Sequence, residues 1–253
     1  MSDIASKSDS FVHLHVHTEY SMLDGAARVK PLIEAAVEQG MPAIGISDHG
    51  NNFGAFDFYK TAKAAGIKPI IGIEAYLTPG TPRQDRSRVR WGSGGEDDIS
   101  GGGAFTHMTM FAENTDGMYN LFRMSSKAWL DGFYFKPRMD RELLQNYGKG
   151  IIATTGCASG EIQTRLRLGQ YDEAKKAAGE FQEIFGKENF FAEIMDHGLD
   201  IERRAMSDLL KLAKELNIPL LATNDLHYTH SGDAAAHEAL LCVQPGSTLV
   251  DPN

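Results

Sequence analysis

Short β-rich runs recur along this chain, and most of them are followed by a helical pattern. The runs are FVHLHVHT (11–18), PAIGISDHG (42–50), KPIIGIEAYL (68–77), THMTMFAEN (106–114), GIIATTG (150–156), NFFAEIMDHG (189–198) and IPLLATNDLHY (218–228). Amphipathic stretches such as VKPLIEAAVEQG and AFDFYKTAKAAG lie between them, with further helices expected near 171–185, 201–217 and 232–242. About seven strands alternating with helices predict an α/β fold on a largely parallel sheet. Gly40, Gly66 and Gly186 stand where C-terminal helix caps belong. A closed or distorted (β/α)7 barrel is favoured over an open sheet, because the polar residues cluster at strand C-terminal ends, where a barrel builds its site. One connection departs from the pattern, since no helix follows 68–77. That run and 106–114 can therefore form an antiparallel hairpin, which needs no crossover, with residues 78–104 at its tip.

The chain has 253 residues, which fits one barrel or two small domains, and 42% of them are hydrophobic. No apolar run approaches the roughly 18 residues of a membrane span. The first ten residues, MSDIASKSDS, are polar and lack the apolar centre of a signal peptide. A cytoplasmic protein without a membrane partner is the simplest reading. Two cysteines, Cys157 and Cys242, are too few for a disulfide framework in a chain this long. The net charge of −9 argues against binding nucleic acid by charge alone, so any such contact should be local. Residues 78–104 are Gly-rich and carry Arg83, Arg86, Arg88 and Arg90. Two readings stand: a solvated loop, or a basic flap that holds a phosphate backbone.

The first run places His13, His15 and His17 on one face by its period of two. His15 and His17 lie nearest the strand's C-terminal end, whereas His13 sits deeper and reads as a core histidine. The other runs repeat the theme. They offer Asp24 in the first loop, His49 in Asp48-His49-Gly50, Glu74 after an apolar run, Cys157 after Thr155-Gly156, and Asp225 with His227. His107 begins its run and reaches the same rim only if that strand is antiparallel. The nine candidate ligands are therefore His15, His17, Asp24, His49, Glu74, His107, Cys157, Asp225 and His227. One transition-metal ion takes about four to six donors, so nine suggest two or three ions with a bridging carboxylate. Such a cluster suits phosphoryl transfer, with one ion activating water and the others stabilising the attacking and leaving oxygens. Mixed imidazole, carboxylate and thiolate donors admit zinc, manganese or iron, and Cys157 leans toward zinc.

FVHLHVHTEYSMLDG, GISDHGN, KPIIGIEAYL, TTGCASGE and ATNDLHY resemble the successive motifs of the PHP (polymerase and histidinol phosphatase) domain. The EYSMLDG run and the long insertion are similar to the form found in bacterial polymerase III alpha subunits of the actinobacterial type. The resemblance implies a distorted seven-stranded β/α barrel with a trinuclear metal site. His15, His17, Glu74 and Asp225 would hold the first ion and, through metal-bound water, carry catalysis. Glu74 would bridge to a second ion on His107 and Cys157, and Asp24, His49 and His227 would hold the third. The implied activity is 3′→5′ proofreading exonuclease on a DNA 3′ end. The implied partners are the polymerase core of a longer chain, the sliding clamp and other replisome subunits. Residues 1–9 would be a flexible tail, 10–245 the domain with its 78–104 insertion, and 246–253 the start of the connection to the polymerase core. Two further readings stand beside the exonuclease: a non-catalytic module that steadies a polymerase, and a small-molecule phosphoesterase of the histidinol phosphatase type.

Several residues receive blander readings. His197 lines the pocket or makes a structural hydrogen bond. Arg165 and Arg167 lie on a solvated helix face or grip phosphate. Cys242 is core, and His230 and His237 are surface groups. Trp91 and Trp129 could stack on bases, yet one lone aromatic rarely decides that.

Overall fold

The computed structural model describes residues 11–22, 24–92, 100–243 and 246–249. The expected tail at 1–9, residues 93–99 of the insertion and residues 250–253 of the expected connection at 246–253 therefore lie outside the described residues. The strands are β1 (Ala43–Ile46), β2 (Lys68–Leu77), β3 (Thr106–Ala112), β4 (Phe133–Tyr134), β5 (Lys136–Met139), β6 (Ile151–Thr154), β7 (Phe190–Ile194) and β8 (Leu220–Ala222). The helices are α1 (Val29–Glu38), α2 (Ala55–Ala65), α3 (Thr115–Asp131), α4 (Arg141–Tyr147), α5 (Glu161–Arg167), α6 (Tyr171–Phe185), α7 (Asp200–Leu216) and α8 (Ala234–Val243).

Hydrogen bonding runs β1–β2–β3–β6–β7–β8, parallel except at β3, which is antiparallel to both β2 and β6. The extended segment at 13–18 closes this curled sheet. It accepts from Gly45 and Ser47 N–H through the His13 and Val16 carbonyls on one side. On the other side it exchanges His17 N–H with the Leu226 carbonyl and Leu226 N–H with the His15 carbonyl. The fold is thus an α/β distorted barrel of seven extended elements, with β4 and β5 as an added hairpin beside β2. The β2–β3 hairpin forms as the missing helix predicts, with Tyr76 opposite His107. That register brings His107 to the C-terminal end of β2.

The first run is less regular than its alternation suggests. It makes isolated bridges at Val16 and Thr18 rather than a continuous ladder, because its two neighbours meet it at different places. The β4–β5 hairpin and the short helices α4 and α5 were not expected, since their apolar spans are too short for a readable period. Two apolar cores flank the sheet. The larger packs α3–α7 against β2, β3, β6 and β7, around Leu121, Met124, Phe181 and Phe190. The smaller packs α1 and α2 against β1 and Val16, around Ile33 and Phe58.

Residues 79–92 do not form a free flap. Arg83 is buried and paired with Asp140, its guanidinium 3.1 Å from the carboxylate and 3.0 Å from that of Glu142. Arg138, 1% exposed, donates to the carbonyls of Arg83 and Asp85 at 2.8 and 2.9 Å, and also to those of Gly132 and Ala104. A buried guanidinium must satisfy its five donors, so Arg138 fastens the segment to the barrel. Arg83 is therefore not available to phosphate, while Arg86, Arg88 and Arg90 are exposed.

Barrel closure depends on close approach at Gly45, where an added Cβ would lie 2.6 Å from the Leu14 carbonyl oxygen. Gly179, inside α6, would meet nothing within 4 Å. Gly45→Ala is expected to destabilise the protein by about 1–3 kcal/mol through overpacking. Gly179→Ala is expected to be neutral or to stabilise by up to about 1 kcal/mol through helix propensity. Urea unfolding checks the pair, and equal effects would contradict the closure described.

Candidate metal centre

The nine predicted donors converge at the C-terminal mouth of the barrel. Glu74, 1% exposed, is their centre. Its Oε1 lies 3.3 Å from His15 Nε2, 3.0 Å from His107 Nδ1 and 3.4 Å from Cys157 Sγ. Its Oε2 lies 3.5 Å from His17 Nε2 and 2.6 Å from His49 Nδ1. Asp225 Oδ1 lies 3.3 Å from His15 Nε2 and 3.1 Å from His17 Nε2. Asp24 Oδ2 is 2.9 Å from His49 Nε2, and Asp24, His17, His49 and His227 form one compact donor group. His15 with His17 and Asp225, and His49 with Glu74 and His107, form two others. Cys157 Sγ lies 3.8 Å from His107 Nδ1, which puts the thiol beside the last of these.

This arrangement fits metal ions on two counts. His15 Nε2, His17 Nε2, His49 Nδ1, Asp24 Oδ1, Glu74 Oε2 and Asp225 Oδ1 are buried without a hydrogen-bond partner. Buried polar atoms are normally satisfied, so six orphans facing one volume call for a cation. In addition, ligands bound tetrahedrally at about 2.0–2.1 Å sit roughly 3.3 Å apart. The 3.1–3.5 Å separations among His15, His17, Glu74 and Asp225 match that spacing.

A second layer of residues sets which imidazole nitrogens face the site. Glu193, fully buried, accepts from His15 Nδ1 at 2.7 Å, from Thr223 Oγ1 at 2.6 Å and from Thr154 Oγ1. His15 therefore keeps a proton on Nδ1, which leaves Nε2 as the nitrogen that faces the mouth and would bind an ion after losing its own proton. Ser21 Oγ donates to Asp48 at 3.0 Å and accepts from His49 N–H, so His17 Nδ1, 3.0 Å away, must donate to it. Asp48, also buried, accepts from Thr18 N–H at 2.6 Å and pins the turn that carries Ser21. His227 Nδ1 donates to the Asp225 carbonyl at 2.8 Å. That contact accompanies a left-handed backbone at Asp225, φ 44°, an uncommon conformation for a residue without a glycine's freedom. Sequence reading missed Glu193 and Ser21. The signal available was the inward position of Glu193 in an apolar strand and the Ser21-to-Asp24 turn after the first run.

The charges are strongly coupled. Burial alone would depress His15, but Asp225, Glu193 and Glu74 outweigh it and raise its pKa well above the usual value. Burial and neighbouring His49 hold His17 down at about 3. Burial would raise Glu74 and Asp225, yet the surrounding imidazoles drive both well below the carboxylate range. Burial, then Glu74 and Asp225, push the Cys157 thiol well up.

Other predicted residues fall elsewhere. His13 is half-buried against Phe11 with an unpartnered Nδ1, not a satisfied core group. His197 is committed to Glu202 at 2.6 Å and to the Asn224 carbonyl at 2.9 Å, the structural alternative. Arg165 pairs with Glu161 and lies over buried Trp91, and Arg167 donates to the Ala158 carbonyl. Neither arginine is on a solvated face or open to phosphate, and Trp91 cannot stack on a base. His237 is not a plain surface group, since its Nε2 lies 2.8 Å from the Asp24 carbonyl. Cys242 is half-buried on α8, which buries no residue, so it is not core. His230 is exposed, as expected.

The chain matches the family model of the PHP domain over residues 13–197. It is similar to the DNA polymerase III subunit alpha of Saccharopolyspora erythraea, 59% identical over 252 residues, covering 96% of this chain and 21% of that protein. The corresponding subunit of Mycobacterium tuberculosis is 57% identical over 98% of this chain, and that of Deinococcus radiodurans 45% identical over 96%. The chain thus spans about a fifth of the length of these curated relatives. An amidohydrolase from Chromobacterium violaceum, solved with bound sulfate and no metal, shares the fold at a TM-score of 0.50 and 13% identity, covering 87% of this chain and 88% of its own.

Two measurements bear on the site. Glu193→Gln keeps the volume but weakens the hold on His15, so zinc affinity is expected to fall about 10- to 100-fold with the fold retained. Unchanged affinity by competition with a chromogenic chelator would remove Glu193 from the site. In metal-free protein, Glu74 and Asp24 overcome the burial of His49 and raise its pKa to about 10, so it is protonated at neutral pH. An ion that takes His49 as a ligand must displace that proton. Zinc titration near neutral pH is expected to release protons, read as a calorimetric enthalpy that changes with the buffer's ionisation enthalpy. A buffer-independent enthalpy would rule His49 out as a ligand.

Proposed function

This chain belongs to the PHP domain family, and from that premise we propose that it hydrolyses DNA phosphodiester bonds with the help of two or three divalent metal ions, as the 3′→5′ exonuclease module of a replicative polymerase. The observation that carries the reading is the convergence of nine donor side chains at one barrel mouth, five of them within 3.5 Å of the buried carboxylate of Glu74. A supportive module without metal ions would gain nothing from six orphaned polar atoms in a barrel mouth, and a metal-stabilised one would keep the ions but release no nucleotides. In this reading His15, His17, Glu74 and Asp225 hold one ion. Glu74, His107 and Cys157 hold a second, and Asp24, His49 and His227 a third. Bound there, the ions supply Lewis-acid chemistry, activating water and neutralising charge on the attacking and leaving oxygens.

The chain's own residues prepare that chemistry. Ser21 and Glu193 fix the tautomers of His17 and His15, so both present Nε2 without reorientation. Glu74 engages neighbours through both oxygens and is positioned to bridge. Cys157 must lose its proton to act as a ligand, so thiolate formation and metal uptake are linked. The high relatedness to polymerase alpha subunits favours DNA over a small phosphoester as substrate. It also favours a polymerase core in the same chain, and clamp and replisome contacts beyond it.

Asp225→Asn is expected to lower nucleotide release from a 3′-labelled primer at least 10- to 100-fold, because it removes a negative ligand while keeping its shape. His230→Ala, which touches no donor, is expected to be nearly silent. Full activity with normal metal content in Asp225→Asn would mean that the site is assigned wrongly. Rapid hydrolysis of histidinol phosphate by a protein inert on mismatched 3′ ends would replace the nuclease reading with the phosphatase one.

A further inference from the structure

Beside the donor cluster lies an open cavity of about 270 Å³. Asp24 and His49 form one wall, and Phe53, Trp129, Phe133 and Phe135 form the other. These four side chains are 64%, 42%, 49% and 60% exposed. They are half of the eight exposed large aromatics among the described residues, so the clustering is not scatter. Phe53 lies 6.2 Å from Trp129, and Trp129 stacks on Phe133 at 5.5 Å with 20° between planes, giving a continuous run of rings. The run is fastened to the metal loop, because Trp129 Nε1–H donates to the Gly50 carbonyl at 3.0 Å, next to His49.

Phe135 adds an independent observation. It is the single residue at the tip of the β4–β5 hairpin, between paired Tyr134 and Lys136. Its φ is 61°, a left-handed conformation that favours glycine and is an outlier for a bulky side chain. Glycine would make this turn without strain. The chain instead keeps an exposed ring there, with the Arg88 guanidinium 5.5 Å from the ring's centroid. Lys136 lines the same cavity.

We propose that this aromatic wall is a stacking shelf for the unpaired bases at a DNA 3′ end, seating the terminal nucleotide beside Asp24 and His49; the assignment rests on the nuclease reading above. Every base has a π-face, so a run of rings holds single strands with little sequence preference. Lys136 and Arg88 supply local positive charge that an acidic protein otherwise lacks. A volume of about 270 Å³ leaves room for about one nucleotide and none for a duplex, so a frayed end enters more readily than a paired one. A segment of a longer chain could also cover an apolar wall. The position at the rim of the donor cluster, the two flanking cations and the strained tip favour the nucleic acid.

The test uses a single-stranded deoxyoligonucleotide carrying 2-aminopurine as its 3′-terminal base, whose fluorescence falls on stacking. It carries a phosphorothioate at its terminal linkage and is added to metal-loaded protein, so that binding is read with little hydrolysis. The native protein is expected to quench the probe, and a matched oligonucleotide with an abasic 3′ end is expected to bind more weakly. Phe53→Ala is expected to weaken binding roughly 5- to 100-fold, the range of one base–aromatic stack. Phe135→Gly relieves the turn, so its melting temperature is expected to stay level or rise while affinity falls. Phe56→Ala, on an exposed position outside the cavity, is the unchanged control. Absence of quenching, equal binding of the abasic probe, or undiminished affinity in Phe135→Gly would each overturn the shelf, even if metal-dependent nuclease activity persists. Quenching that depends on Phe53 and Phe135 in a protein without nuclease activity would keep the shelf and remove the exonuclease reading.

Discussion

The Glu74 carboxylate is the interaction on which the rest of this site depends. A buried, ionised carboxylate is costly unless it is surrounded by positive charge or donors. Here its two oxygens meet four imidazoles and a thiol drawn from the first extended segment, β1's outgoing loop, β3 and the turn after β6. Those elements are distant in sequence, so the charge can be compensated only when the barrel is closed. Closure in turn requires the 13–18 segment to enter between β1 and the strand end at Leu226, which is where His15 and His17 are carried. Folding and site assembly are therefore one event. The antiparallel β3 is part of it, because only that direction turns His107 toward Glu74.

Much of this was legible in the sequence because it rests on short-range periodicity. Alternation places His15 and His17 on one face, and the polar residue ending each apolar run marks the rim. The absent helix after 68–77 gives away the hairpin. What was not legible depends on pairing across the fold. Glu193 reads as an ordinary strand residue until β7 lies beside β6 and opposite His15. Arg83 reads as a free cation in a Gly-rich loop, yet it is held by Asp140 and Glu142 from beyond the next helix. Arg165 is consumed by Glu161 one turn back, a pair that helical spacing reveals, whereas Arg167 turns to the Ala158 carbonyl outside the helix, which spacing does not reveal.

The insertion shows how buried charge organises a segment with little apolar content. Arg138 neutralises no carboxylate directly; it gathers four backbone carbonyls that would otherwise be unsatisfied. Arg83, from the insertion itself, adds an ion pair that caps α4 through Asp140, whose side chain also accepts from Leu143 N–H. Together they set the loop against the β4–β5 hairpin and leave Arg88 over the Phe135 ring. Of the exposed cations of the insertion, Arg88 is thereby held beside the aromatic wall of the cavity.

The acidic balance of the chain then takes on a different meaning at the mouth. Without ions, Asp24, Glu74, Asp225 and Glu193 concentrate negative charge there and would repel a phosphate backbone. Three divalent ions would outweigh those four carboxylates and the Cys157 thiolate, reversing the local sign. A low-dielectric rim focuses such a field over a short distance, while the rest of the acidic surface discourages binding elsewhere. An acidic protein with a conditionally positive mouth should thus prefer a strand end that can reach inside over a duplex lying across its surface. In the nuclease reading proposed above, the backbone phosphate would answer to the ions and the unpaired base to the rings beside them. A net charge of −9 is in this light a contribution to selectivity rather than an argument against a nucleic-acid substrate.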